Sequence, residues 1–129
     1  MTLFDEISDH LQFLGYTVTD LETQKQATHA QRWDILFKPY RGGVLVAAYL
    51  SSNDFSKEQE NRQAYLEFIN AMNEAAGIAR FYADKDQDFV MEALWLGDYE
   101  RVRFGEFMDL WDTDTRTQFH QLDPARFFQ

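Results

Sequence analysis

The chain has no cysteine. That excludes disulfide staples and thiolate chemistry, and it is compatible with a reducing cytoplasm. Only two prolines and six glycines punctuate 129 residues, and no repeat, low-complexity tract or linker interrupts them. No apolar run approaches the roughly 20 residues of a membrane span. The opening Met1-Thr2-Leu3-Phe4-Asp5-Glu6 has neither the basic region nor the apolar stretch of a signal peptide, so a cytoplasmic protein is expected. Basic residues are scarce. There are 12 against 22 acids, a net charge of −10. The surplus is uneven: residues 1–53 carry six acids and four bases, residues 54–129 sixteen and eight. Such a surface repels phosphate, so neither nucleic acid nor an anionic membrane is an expected partner.

What is abundant is apolar and aromatic. Apolar residues make up 45% and aromatics 16%, with twelve Phe, six Tyr and three Trp. This length is one domain, 1–129, and a chain of this size buries roughly 65–70% of its unfolded surface. The aromatics suit a lined sheet or an adhesive interface.

Patterning sets the elements. Leu3, Phe4, Ile7, Leu11 and Leu14 share a helical face, with Thr2 and Asp5 as a capping pair and Gly15 as a stop. Tyr16–Leu21 alternates weakly and reads as a strand. Glu22–Gln31 is polar and patternless, a loop or frayed strand end. Trp33, Ile35 and Phe37 alternate with Asp34, Leu36 and Lys38. With the turn Pro39–Gly43 and the run Val44–Ser51, residues 32–51 form an expected hairpin. Ser56-Lys57-Glu58-Gln59 has the form of a capping box opening a helix over 57–76, stopped by Gly77. Residues 78–96 form a second expected hairpin around the acidic turn 84–88. A last helical stripe over 100–121 includes Phe104, Phe107, Met108, Trp111, Thr115 and Phe119, and Pro124 ends it.

The expected fold is therefore α+β, in the order α-β-β-β-α-β-β-α. It has a largely antiparallel five-stranded sheet with helices on one face, since only the long middle helix offers a parallel crossover. The stretch from that helix through Ala79-Arg80-Phe81-Tyr82, an acidic turn, and Phe89-Val90-Met91-Glu92-Ala93 resembles the YbjN-type family, whose fold is similar to the type III secretion chaperones. By element order the resemblance covers most of the chain, and by residues about 78–96. It implies a small acidic α+β protein, often dimeric, that binds other polypeptides or modulates signalling, and it implies no reaction.

No motif for catalysis, metal or cofactor stands out. Asp84, Asp86 and Asp88 begin like a calcium loop, but Phe89 and Trp95 stand where the sharp-turn Gly and the bidentate Glu belong. His10, His29 and His120 have no ligand-spaced partner and are expected at the surface. No nucleophile elbow, P-loop or dinucleotide fingerprint occurs. A non-enzymatic, chaperone-like or regulatory domain that binds a segment of another protein is the leading expectation. A small-molecule sensor or enzyme using a cleft between sheet and helices is the alternative. The binding candidates are exposed aromatic and aliphatic anchors: Trp95 if it faces an open side of the sheet (Trp33 likewise), Phe127 and Phe128 if they do not dock on their own domain, and Leu66. Leu66 flanks the stripe Tyr65–Phe68–Ile69–Met72–Ala76. That wide stripe and the aromatic surplus lead to the expectation of a homodimer.

Overall fold

A computed structural model describes residues 1–128. Its order is α1 (Leu3–Phe13), β1 (Thr17–Asp20), β2 (Lys25–Thr28), β3 (Ile35–Tyr40), β4 (Gly43–Leu50), α2 (Asp54–Lys57), α3 (Arg62–Ala75), β5 (Arg80–Ala83), β6 (Phe89–Trp95), α4 (Arg101–Asp112) and α5 (Gln118–Gln121). The strands form one sheet, β1-β2-β3-β4-β6-β5, antiparallel at every junction. The α+β class and the two hairpins stand as expected. The strand count does not: there are six, because Lys25–Thr28 is a strand and not a loop. A single apolar residue, Ala27, carries it, pairing with Val18 on one side and Ile35 on the other. Lys25 keeps the pattern by laying its stem inward, its ammonium 5.1 Å from the centre of the Phe4 ring.

Local chemistry explains the boundaries. The Thr2 hydroxyl accepts from Asp5 N–H, and Asp5 reaches back to Thr2 N–H, closing the capping box of α1. Gly15, at φ +99, supplies the left-handed exit. The β3–β4 turn is two residues, Arg41 (φ 49) and Gly42 (φ 82), the primed geometry that matches strand twist. Pro39 lies inside β3. The β2 pairing ends at Lys25–Phe37, so the missing N–H of Pro39 costs no ladder bond.

The capping box expected at Ser56–Gln59 does not form. Asn53 caps instead, accepting from Ser56 N–H, and α2 is only one turn long. A 3₁₀ turn at Gln59–Asn61 then leads into α3. The last helix is also interrupted. Thr113–Thr117 forms a π turn between α4 and α5, which turns the Thr115 carbonyl toward the Trp33 indole N–H at 2.7 Å.

All three long helices cover one face of the sheet. Phe4 of α1 packs on Phe37, Phe68 of α3 on Phe89, and Phe104 and Phe107 of α4 on Trp95. The rings between the layers form one core, so aromatic side chains fill the space between sheet and helices in which the alternative reading put a cleft.

Candidate functional site

The sheet register assigns every side chain to a face. Val18, Ala27, Ile35, Phe37, Val44, Val46, Ala48, Phe89, Met91, Ala93, Trp95 and Phe81 point toward the helices. Their neighbours form the other face, which carries no helix. Across it run three rows. Tyr49, Val90 and Tyr82 make one; Leu36, Ala47, Glu92 and Arg80 the next; Lys38, Leu45 and Leu94 the third. β4 is thus apolar on both faces, a pattern ordinarily found in strands covered on both sides. Here the second cover is missing. Tyr49 (57%) and Tyr82 (41%) are exposed, and Leu36, Leu45, Leu94 and Tyr40 are half-buried.

At the centre of this open face stands Glu92, only 4% exposed although no helix covers it. The Arg80 guanidinium pairs with it, and the Tyr82 hydroxyl donates to it at 3.4 Å. A charge held this dry needs such partners to offset its desolvation. Burial, then the Glu92 charge, pushes the Tyr82 hydroxyl up. The same causes raise Tyr49, with Asp84 adding to them. Both rings are therefore neutral donors. Tyr40 moves the opposite way, lowered by the Arg41 guanidinium, whose Nε donates to its oxygen at 3.1 Å.

A second depression, of about 320 Å³, lies where α1 meets the start of α4. His10 Nδ1 lies 2.6 Å from the Tyr99 hydroxyl. Burial, then the nearby Arg101, lowers the imidazole's pKa. His10 was expected at the surface but is buried, held by Phe13, Tyr99 and Phe104 rings. Its neighbours from α4 are far away in sequence, which is why the expectation failed. His29 is half-buried, its imidazole 3.3 Å from the Leu14 carbonyl, and His120 is exposed.

Three of the four anchor residues chosen from sequence face inward. Trp95 is buried against Phe104 and Phe107 because its register places it on the helix-covered face. Phe127 and Phe128 are buried against Tyr65, Phe68, Phe89 and Phe119. Backbone bonds fix them there: Phe128 bridges to Ser52, and the Phe127 carbonyl accepts from Asn53 N–H and Ser56 Oγ, both at 2.9 Å. Leu66 is exposed, but among polar side chains, with Gln63, Glu67 and Asn70 around it. The four converge on no common site. The acidic turn is organised by the protein's own donors. Asp84 accepts from the Asp86 and Asp88 amides, and Asp88 accepts from Ser52 N–H and Lys57. Among the described residues no three His, Asp or Glu side chains are grouped as metal ligands would be.

The open-face residues escaped the sequence reading. One signal was available: Leu45, Ala47 and Tyr49 interleave with Val44, Val46 and Ala48, so β4 has no polar face.

No family model and no curated protein matches the sequence. Among solved structures, YbjN, a proposed transcription regulator of E. coli, superposes with a TM-score of 0.73 at 10% identity, over 97% of this chain and 94% of that one. An uncharacterized protein from Methanothermobacter thermautotrophicus gives 0.66 at 10% identity, over 96% and 99%. A chain of the heterodimeric ExoU–SpcU complex from the type III secretion system of Pseudomonas aeruginosa gives 0.61 at 15% identity, over 92% and 98%. At these identities the likeness is one of fold: a YbjN-like fold that resembles the type III secretion chaperones.

Proposed function

We propose that the protein binds a segment of another polypeptide against the open face of its sheet, as a chaperone-like or regulatory domain with no reaction of its own. The observation that carries this reading is the uncovered second face of β4 and β6, with Tyr49, Tyr82, Leu45 and Leu94 in reach of solvent. Rigid aromatic rings around an aliphatic floor are the residues that anchor interfaces. The ExoU–SpcU chain, similar in fold, comes from a heterodimeric complex, which supports a protein as partner. The charge of −10 weighs against nucleic acid. No helix among the described residues is long and apolar enough to cross a membrane. A cytoplasmic setting and self-association belong to the same reading as further parts of it.

Site-specific photocrosslinking tests it. A photoreactive phenylalanine analogue at Tyr49 should capture a partner in cells of the source, and the same group at Leu66 should not. Capture at Leu66 alone would move the site to α3 and end the open-face reading. A second reading, a small-molecule sensor, rests on the His10–Tyr99 hydrogen bond in its depression. It predicts that a ligand shifts the His10 ring resonances while leaving those of Tyr49 unchanged.

A further inference from the structure

One corner of the open face differs from the rest of the molecule in charge. Lys38 and Arg41 lie against Tyr40, the Lys38 ammonium 6.0 Å and the Arg41 guanidinium 5.4 Å from its ring centre, and Arg80 lines the depression beside them. Arg80 and Glu92 line the same depression of about 530 Å³, with Leu45 and Leu94 as its floor. Glu92 is already paired with Arg80. Among the described residues neither Lys38 nor Arg41 has a carboxylate within ion-pair reach. In a chain with 22 acids and 12 bases, two free cations beside an apolar floor form a local exception to the field.

Arg41 stands at an unusual place for its type. It occupies the first position of the primed turn at φ 49, where Asn, Asp or Gly is the ordinary choice and a side chain with Cβ costs roughly 1 kcal/mol. Its Nε is fixed on the Tyr40 hydroxyl. That single bond orients the fork, while both Nη groups remain without a carboxylate among the described residues. An oriented guanidinium loses less freedom on binding an oxyanion than a free one does.

We propose that the segment taken by the open face is acidic, with carboxylate side chains seated at the corner of Lys38, Arg41 and Arg80 and aliphatic side chains on Leu45 and Leu94. This rests on the open-face reading and names the chemistry of its partner. Every second side chain of an extended segment points to the same side, so carboxylate and aliphatic residues two apart match a cationic rim beside an apolar floor. A polyanion fits less well. Phosphate backbones need many cations in line, and this corner has three beside the Glu92 carboxylate.

Calorimetry on the full chain decides it. Three capped ten-residue peptides serve as probes, each with Thr at every odd position and, at the even positions, Val taking turns with Glu, Gln or Lys. The Glu peptide should bind about tenfold tighter than the Gln peptide at low salt, from a few partly screened pairs. The Lys peptide should be weakest, and the differences should shrink in high salt. The double variant Lys38→Glu with Arg41→Glu should invert the order without lowering the melting temperature, since neither side chain is buried. Equal binding of the Glu and Gln peptides, abolished by Tyr49→Glu, overturns the acidic preference and leaves the open-face reading standing. No binding by any of the three overturns both. Tighter binding of a thymidine oligonucleotide overturns the choice of partner. So does light scattering that shows a dimer of the wild type and a monomer of the double variant, because a second copy then occupies the corner.

Discussion

The two edges of the sheet are built on opposite plans. At β5 the outward-facing backbone is closed by side chains. The Phe81 N–H donates to Asn73 Oδ1 and the Phe81 carbonyl accepts from Asn73 Nδ2, both at 2.9 Å, so one amide of α3 imitates a neighbouring strand. Just before it, the Asp114 carboxylate accepts from three successive amides, Gly77, Ile78 and Ala79, at 2.8–2.9 Å. At β1 nothing comparable happens. The Leu21 N–H bonds to the Gln24 carbonyl, and the alternation of an antiparallel pair then turns the backbone groups of Val18 and Asp20 outward. They have no partner among the described residues. Shortness and polarity protect this edge: four residues, three of them exposed, with Asp20 at the end. A strand lying under helices needs its orphan groups satisfied, whereas one in water does not. The difference follows burial rather than any general need to block strand addition. It also directs strand addition, if it occurs, to β1 and away from β5.

The largest break in this comparison is Asp114→Ala. Three amides lose a charged acceptor in a buried place, and the loss should be about 3–5 kcal/mol by urea denaturation. A loss under about 1 kcal/mol would mean that water replaces the carboxylate freely. Asn73→Ala is the next largest. It should cost about 2–3 kcal/mol and speed hydrogen exchange at the Phe81 amide. The Val18 amide should already exchange fast in the wild type. Slow exchange at Val18 would show that β1 is covered in solution. The smallest effect is in the acid limb of stability. Asp88 accepts from Ser52 N–H and from Lys57, on the sealed side of the sheet. These bonds, the backbone one first, hold its carboxyl below the ordinary 3.8. A depressed carboxyl stabilises the fold above its unfolded value and loses that contribution as pH falls through its folded value. Asp88→Asn should therefore flatten the decline below about pH 4 and leave stability at pH 7 lower. An unchanged acid limb would show that these bonds do not survive in solution.

What sequence could reveal of the molecule divides by range. α1 was legible because its cap, its stripe and its stop lie within fourteen residues. Both hairpins were legible because alternation is local. β2 was not, since Lys25, Gln26 and Thr28 hold no apolar signal and only the pairing of Ala27 with Ile35 makes a strand of them. The cap at Asn53 lost out to the more familiar pattern at Ser56, although Asn53 also holds the Arg126 carbonyl at 3.0 Å through its amide. The aromatic surplus that favoured a dimer is largely absorbed by one core: nine of the twelve Phe are buried. The candidate site was least legible. Lys38, Arg41 and Arg80 come from two separate hairpins, and only the order β3-β4-β6-β5 brings them to one corner.

The π turn at Thr113–Thr117 has a consequence for how this chain can vary. A π turn is an extra residue carried inside a helix without a loop. Removing one residue there would give an uninterrupted α-helix, a locally better helix than the present one. Because the wide turn absorbs the extra residue, the segment downstream would keep nearly its present orientation. Phe119, Phe127 and Phe128 would stay on Phe68 and Phe89, whereas the carbonyl that the wide turn offers to the Trp33 indole would return to the helix ladder. A one-residue deletion in this stretch that spares Asp114 should thus be tolerated at the cost of the Trp33 bond, whereas the same deletion in the regular turns of α4 would rotate everything downstream by about 100° and take the aromatic cluster apart.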